Sequence, residues 1–263
     1  MRRFEGKGVI VTGAGQGIGQ ATAQRFAAEG ADVMLVGRTQ AKLEETAELV
    51  RAGGGTAWAQ VADVGDGTSV RAAVDAALAR WDGRIDVLVN NAGIDDETPF
   101  LEITEEAWRA VVQTNLTGPF LFSRAVAPEM VRTGGGVILH NASIDASGGD
   151  GPFASYNASK AGLIGLNRTM ALELGPHGIR VNCVSPGFTH TDMTERAVGP
   201  AMMDYLNGQF ARVPMRRLVK PSEIAAAFAF LASDDASGIT GIDLTVDCGL
   251  TANWFILETL PEL

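Results

Sequence analysis

Gly8-Val9-Ile10-Val11-Thr12-Gly13-Ala14-Gly15-Gln16-Gly17-Ile18-Gly19 is the stretch whose reading decides the fold. Gly8 to Thr12 reads as a buried strand, and an amphipathic helix follows from Gly17 to about Glu29. A second apolar run, Asp32-Val33-Met34-Leu35-Val36, completes a β-turn-α-β unit. Glycines let a backbone approach a pyrophosphate, and a helix N-terminus offers unpaired N–H groups at the positive end of its dipole. The spacing does not fit G-x-G-x-x-G, because the sixth position counted from Gly13 is Ile18. It fits T-G-x-x-x-G-x-G, at Thr12, Gly13, Gly17 and Gly19. A glycine turn that merely joins strand to helix is the competing reading, and the strands on both sides weigh against it.

Outward from this unit the same alternation repeats. Strands are expected near 8–12, 32–36, 56–61, 85–89, 137–141, 179–184 and 242–246. Helical patterns lie near 17–29, 39–52, 67–81, 104–132, 153–175 and 222–232. Such β-α alternation implies a parallel sheet with helices on both faces. Pro119 and Pro128 fall inside the 104–132 pattern, so a break or kink is expected there. The glycine runs 53–55, 134–136 and 148–149 sit beside strands, where turns are needed.

Composition excludes several classes. A formal charge of −10 argues against nonspecific nucleic-acid binding, which depends on cations neutralising phosphates. The basic run from Arg212 to Lys220 reads as a solvated loop. No stretch is apolar and long enough to cross a bilayer, and the first strand begins too early for a signal peptide, so a soluble cytoplasmic protein is expected. Cys183 and Cys248 form neither a disulfide framework nor a metal cluster, and three histidines (His140, His177 and His190) suggest no metal site.

Chemistry concentrates at Tyr156 and Lys160, four residues apart and so on one face of a helix. A cation fixed beside a phenol lowers its pKa, which suits a proton donor to a carbonyl oxygen. The strand Val87-Leu88-Val89 ends in Asn90-Asn91-Ala92-Gly93, Ser143 lies thirteen residues before Tyr156, and Pro186-Gly187 follows another apolar strand. Together these motifs resemble the short-chain dehydrogenase/reductase family in its compact single-domain branch, from Lys7 to about Gly249.

The resemblance implies a Rossmann-type doubly wound α/β fold: a seven-stranded parallel sheet in three layers, one domain over 1–263. It also implies a substrate-covering excursion near 188–212, a C-terminal tail over 250–263 and a homotetramer. The catalytic set would be Asn115, Ser143, Tyr156 and Lys160, with Asn115 holding a water that relays protons to the lysine. An asparagine in a helix can instead bond only its own turn. Cofactor contacts would come from Gly13, Gln16, Gly17, Ile18, Gly19, Arg38, Asp63, Val64, Asn90, Ala92, Gly93, Tyr156, Lys160, Pro186, Gly187, Thr189 and Thr191. Asp63 would meet the adenine amino group, or else serve as a helix N-cap near Gly65.

NADP is favoured over NAD. At the end of the second strand Gly37-Arg38 stands where an NAD site usually carries a carboxylate, and a guanidinium suits a 2′-phosphate. Arg38 could instead only stack on adenine, and Gln16 lacks the charge often found in that turn of NADP-preferring relatives. The substrate would be a small ketone or secondary alcohol. Its pocket is expected to include Asp95, Asp96, Asp145, Asp150, Phe153, Phe188, His190 and Met193, with Ile94, Met202 and Trp254 further candidates. The carboxylates would make a negative mouth with no cation for an anionic substrate, favouring polyols or amines; solvated loop charges are the alternative. The competing functions are an inactive nucleotide sensor or scaffold, and an epimerase or dehydratase using the same Tyr-Lys pair.

Overall fold

The computed structural model describes residues 2–252. Seven strands form one sheet: β1 (Gly8–Thr12), β2 (Asp32–Gly37), β3 (Thr56–Val61), β4 (Val87–Asn90), β5 (Gly136–Asn141), β6 (Ile179–Pro186) and β7 (Asp243–Val246). Every pairing is parallel, and the order is β3-β2-β1-β4-β5-β6-β7. Because β1 pairs β2 on one side and β4 on the other, the winding reverses there, and open α/β sheets bind ligands beyond the carboxyl ends of the strands at such a point.

The strand pleat sorts side chains into two cores. Val9 and Val11, Val33 and Leu35, Val87 and Val89, and Val137 and Leu139 pack with Phe26 of α1 (Gly17–Ala28), Leu43 of α2 (Gln40–Ala52) and Phe228 of α8 (Pro221–Ala232). Residues one step along those strands, Ile10, Met34, Leu88 and Ile138, face the other way. They meet Val70 and Val74 of α3 (Gly67–Arg80) and Phe122 and Met130 of α5 (Gly118–Thr133). Burying each such side chain stabilises the fold by about 1.5–3 kcal/mol, so both sheet faces must be covered and the strands read as continuous apolar runs.

The helical pattern 104–132 is divided. α4 (Glu105–Val112) and α5 are joined by a π-helical turn, Gln113–Thr117. The break therefore comes at neither proline. Pro119 sits in the first turn of α5, where its missing N–H costs nothing, and Pro128 stays inside that helix. The excursion expected near 188–212 contains α7 (Asp192–Leu206), and α6 (Ala154–Leu174) carries the Tyr156 and Lys160 pair. Trp254 and the tail beyond 252 lie outside the described residues. No described helix is long and apolar enough to cross a membrane.

Candidate active site

A cleft of about 740 Å³ lies over the carboxyl ends of the strands, where the winding reverses. One end is built from backbone. Gly13 and Gly17 have φ of +65° and +55°, a region that disfavours other residues. A Cβ on Gly19 would lie 2.1 Å from the Gly13 carbonyl oxygen. α1 starts at Gln16 with no side-chain cap and no acid in its first turn, so its N–H groups remain available to an anion. Thr12 Oγ1 accepts from the Asn91 and Ala92 N–H groups at 2.9 and 3.0 Å, tying β1 to β4 beneath the turn.

Beside this turn, Arg38 is exposed, lines the cleft and has no ion pair among the described residues. Gly37 keeps its approach narrow: a Cβ there would meet Leu43 Cδ2 at 3.2 Å. Lys42, which sequence reasoning passed over, also lines the cleft, and its Nζ donates to Gln16 Oε1. A second cation thus supplies the charge that Gln16 lacks. The available signal was a lysine in the first turn of a helix that has no acid there. Asp63 and Val64 line the same end. Asp63 Oδ1 accepts from Gly65 N at 2.8 Å, but the cap of α3 is Asp66, which accepts from Ser69 N. Asp63 is therefore not the helix cap.

The other end is built from side chains. Ser143 follows β5, is 6% exposed and shares the cleft wall with Tyr156 and Lys160. Lys160 Nζ donates to the Asn141 carbonyl at 2.6 Å and sits 5.4 Å from the centroid of the Tyr156 ring. The Phe153 ring meets Tyr156 edge to face at 6.4 Å.

Burial governs the titration of this group. It pushes the Tyr156 phenol up from its usual value; a hydrogen bond with Ser143 pulls the other way, and the charges of Asp145 and Asp95 add to the rise. Lys160 is not among the groups that shift it, so the expected lowering by that cation is not seen, and burial holds the phenol in its acid form. Burial lowers the Lys160 ammonium to about 8, against opposing effects from Cys183 and Asp145. His140, fully buried behind the site, is lowered to about 3, first by burial and then by the Lys160 charge.

Asn115 is buried in the π turn and does not line the cleft. Its Oδ1 accepts from Ile94 N at 2.9 Å, and its Nδ2 donates to Ile94 O and to Ser159 Oγ at 2.8 and 3.1 Å. Ser159 Oγ in turn donates to the Tyr156 carbonyl at 2.7 Å. The amide therefore clamps the segment after Gly93 to the helix carrying Tyr156, and does not bond back to its own turn.

Several expected contacts are displaced. Asn90 faces inward to Ser123 Oγ and His140 Nδ1, and the neighbouring Asn91 lines the cleft, because side chains alternate at a strand end. Asp96 accepts from the Thr98 hydroxyl and lies off the cleft wall. His190 is exposed and Met202 is 45% exposed, both outside it. Gly93, Ala92, Ile94, Asp95, Asp145, Asp150, Phe153, Pro186, Gly187, Phe188, Thr189, Thr191 and Met193 line it with Gly13, Gln16, Gly17, Ile18 and Gly19. So does Arg196, from the first turns of α7, which corrects the expectation that the cleft has no cation for an anionic substrate.

Comparison with known proteins points to one family. A family model described as enoyl-(acyl carrier protein) reductase matches residues 13–251. A 3-oxoacyl-[acyl-carrier-protein] reductase of Thermotoga maritima is 39% identical over 94% of this chain and 99% of its own. D-threitol dehydrogenase of Mycolicibacterium smegmatis is also 39% identical, over 95% of this chain and 94% of its own. A solved Beutenbergia cavernae protein, described as an NAD(P)-dependent gluconate 5-dehydrogenase with NADP bound at low occupancy, superposes with a TM-score of 0.88 at 37% identity. That match covers 95% of this chain and 98% of the other. On the motif order, the sheet topology and these matches, the chain belongs to the short-chain dehydrogenase/reductase family and is an NAD(P)-dependent oxidoreductase acting on alcohol and ketone groups.

Proposed function

We propose that this enzyme interconverts a small ketone and its secondary alcohol, with Tyr156 as general acid and base and NADP as the favoured cofactor. The observation that carries this reading is the convergence of Ser143, Tyr156 and Lys160 on one wall of a cleft whose other end is a glycine turn. The turn fits a dinucleotide: a Cβ would fill the space at Gly13 and Gly19, and the N–H groups at the start of α1 carry no side-chain cap. When bound, a nicotinamide supplies the hydride in reduction and accepts it in oxidation.

Ser143 holds the substrate oxygen beside Tyr156. In reduction the carbonyl carbon gains the hydride and the oxygen takes the phenol proton, giving the alcohol and a phenolate. The Lys160 ammonium stabilises that phenolate, and a solvent proton restores the phenol. Oxidation runs the same steps backwards and needs the phenolate first. Burial disfavours that anion, so oxidation should quicken with rising pH.

Arg38 and Lys42 support the NADP preference, since two cations suit a 2′-phosphate and an NAD ribose gives them nothing to pair. Exposed apolar side chains, with Trp108 on α4 and Phe120 on α5 among them, support the homotetramer, which sedimentation velocity would test. For the reaction itself, the test is nicotinamide absorbance with a panel of ketones and alcohols and both cofactors. Replacing Tyr156 by Phe should lower turnover about 10²–10⁴-fold with cofactor affinity intact. Turnover within twofold of wild type would remove Tyr156 from the role.

A further inference from the structure

Asp145 stands two residues beyond Ser143, in the 3₁₀ turn Ile144–Ala146, and its N–H donates to Ser143 Oγ at 3.2 Å. Its side chain is half-buried and lines the same cleft as Tyr156. No lysine or arginine forms an ion pair with it among the described residues. Burial and the charge of Asp150 both raise its pKa, whereas a hydrogen bond with Ser143 and the charge of Lys160 pull the other way. Asp95 and Asp145 together act on the Tyr156 hydroxyl. The carboxylate therefore sits beside the reacting groups, half-buried, under the charge of Lys160 but in no ion pair among the described residues.

A serine hydroxyl has one proton to donate. When a substrate carbonyl takes that proton, Ser143 has none left for Asp145, whose carboxylate accepts no other hydrogen bond among the described residues. A half-buried carboxylate left without a donor costs free energy, and a substrate with a single oxygen cannot replace it. A second hydroxyl on the adjacent carbon can. We propose that Asp145 is a specificity residue that accepts a hydrogen bond from a hydroxyl vicinal to the reacting carbon, so that the substrates are vicinal diols and the matching α-hydroxyketones. This assignment rests on the oxidoreductase reading above. A carboxylate at the same place would face Asp145 and add to the charges of Asp150 and Asp95, so α-hydroxy acids are disfavoured at that position although Arg196 lines the cleft elsewhere.

The test compares kcat/KM for 2,3-butanediol, 2-butanol, 2-hydroxybutyrate and 1-amino-2-propanol in the full-length wild type and in Asp145→Ala and Asp145→Leu. The expected result is a preference for the diol over 2-butanol of about 10- to 100-fold, carried in KM, that collapses in both variants. Cofactor affinity measured by fluorescence titration reports whether each variant is folded. Equal use of diol and monoalcohol by the wild type, or a preference that survives in both variants, overturns the assignment and leaves the oxidoreductase reading standing. A preference for the amino alcohol or the hydroxy acid overturns the hydroxyl recognition specifically. Hydride transfer with no alcohol or ketone and either cofactor would overturn the oxidoreductase reading, and the assignment with it.

Discussion

The two ends of the cleft are made of different material. At the glycine turn the contacts on offer are backbone N–H groups and a shape that exists because side chains are missing: Gly19 has no room for a Cβ beside Gly13. At the Tyr156 end every offered group is a side chain; Asn141 O holds Lys160, and Ser159 bonds the carbonyl of Tyr156. The first end should tolerate no added atoms, and the second no lost ones. A dinucleotide is recognised by its constant parts, which backbone can meet, whereas proton transfer needs a group with a chosen pKa.

The largest break comes at the side-chain end. Tyr156→Phe removes one oxygen and should cost about 10²–10⁴-fold in kcat while the dissociation constant for NADPH, read by fluorescence, stays near wild type. The mirror experiment is Gly19→Ala, which adds one carbon. Its Cβ cannot be placed 2.1 Å from an oxygen, so the turn must open; overpacking of this kind costs about 1–3 kcal/mol. Cofactor affinity and melting temperature should fall together. Unchanged binding in Gly19→Ala would dissolve the contrast between the two ends.

A smaller effect sharpens it. Arg38→Leu and Lys42→Ala should each weaken NADPH about tenfold or more and leave NADH nearly unchanged, measured by titration with both cofactors. Equal losses for both would reduce the two cations to stacking or packing. The pH profile tests the other end. Lys160 is charged below about 8, so kcat for ketone reduction should hold level below that pH and decline above it. A profile that stays flat through pH 9 would remove the ammonium from the mechanism.

The least effect belongs far from the cleft. Glu29 pairs with Arg3 and Arg25, and the hydrogen bond from Arg3 leads in holding its carboxyl below the usual range. A depressed folded-state pKa contributes stability above the unfolded-state value and loses it as pH falls through the folded one. Glu29→Gln should therefore melt lower than wild type at neutral pH, converge with it in acid, and keep its kcat.

Most strands were legible because a doubly covered parallel sheet demands apolar runs, and glycine punctuates them. Tyr156 and Lys160 were legible because a helix fixes what lies four residues apart. What escaped depends on neighbours distant in sequence. Asn90 and Asn91 look alike in the chain, and only the strand's final pleat turns one inward and the other to the cleft. The phenol's upward shift comes from burial, which local charge spacing does not reveal. Lys42 and Arg196 lie in first turns of helices whose closeness to the glycine turn is a property of the wound sheet.

The π turn has a consequence for how such a chain can change in length. A π turn carries a residue more than the α-helical ladder needs. Deleting one residue within Gln113–Thr117 would bring α4 and α5 onto one α-helical ladder, with Pro119 in its interior and unable to donate to it. It would also swing the two segments against each other by about 100°, the rotation of one helical residue. Asn115 would then point away from Ile94 and Ser159. The extra residue therefore secures the site twice: removing it unpins Asn115 from the wall and puts Pro119 inside a helix that it would break.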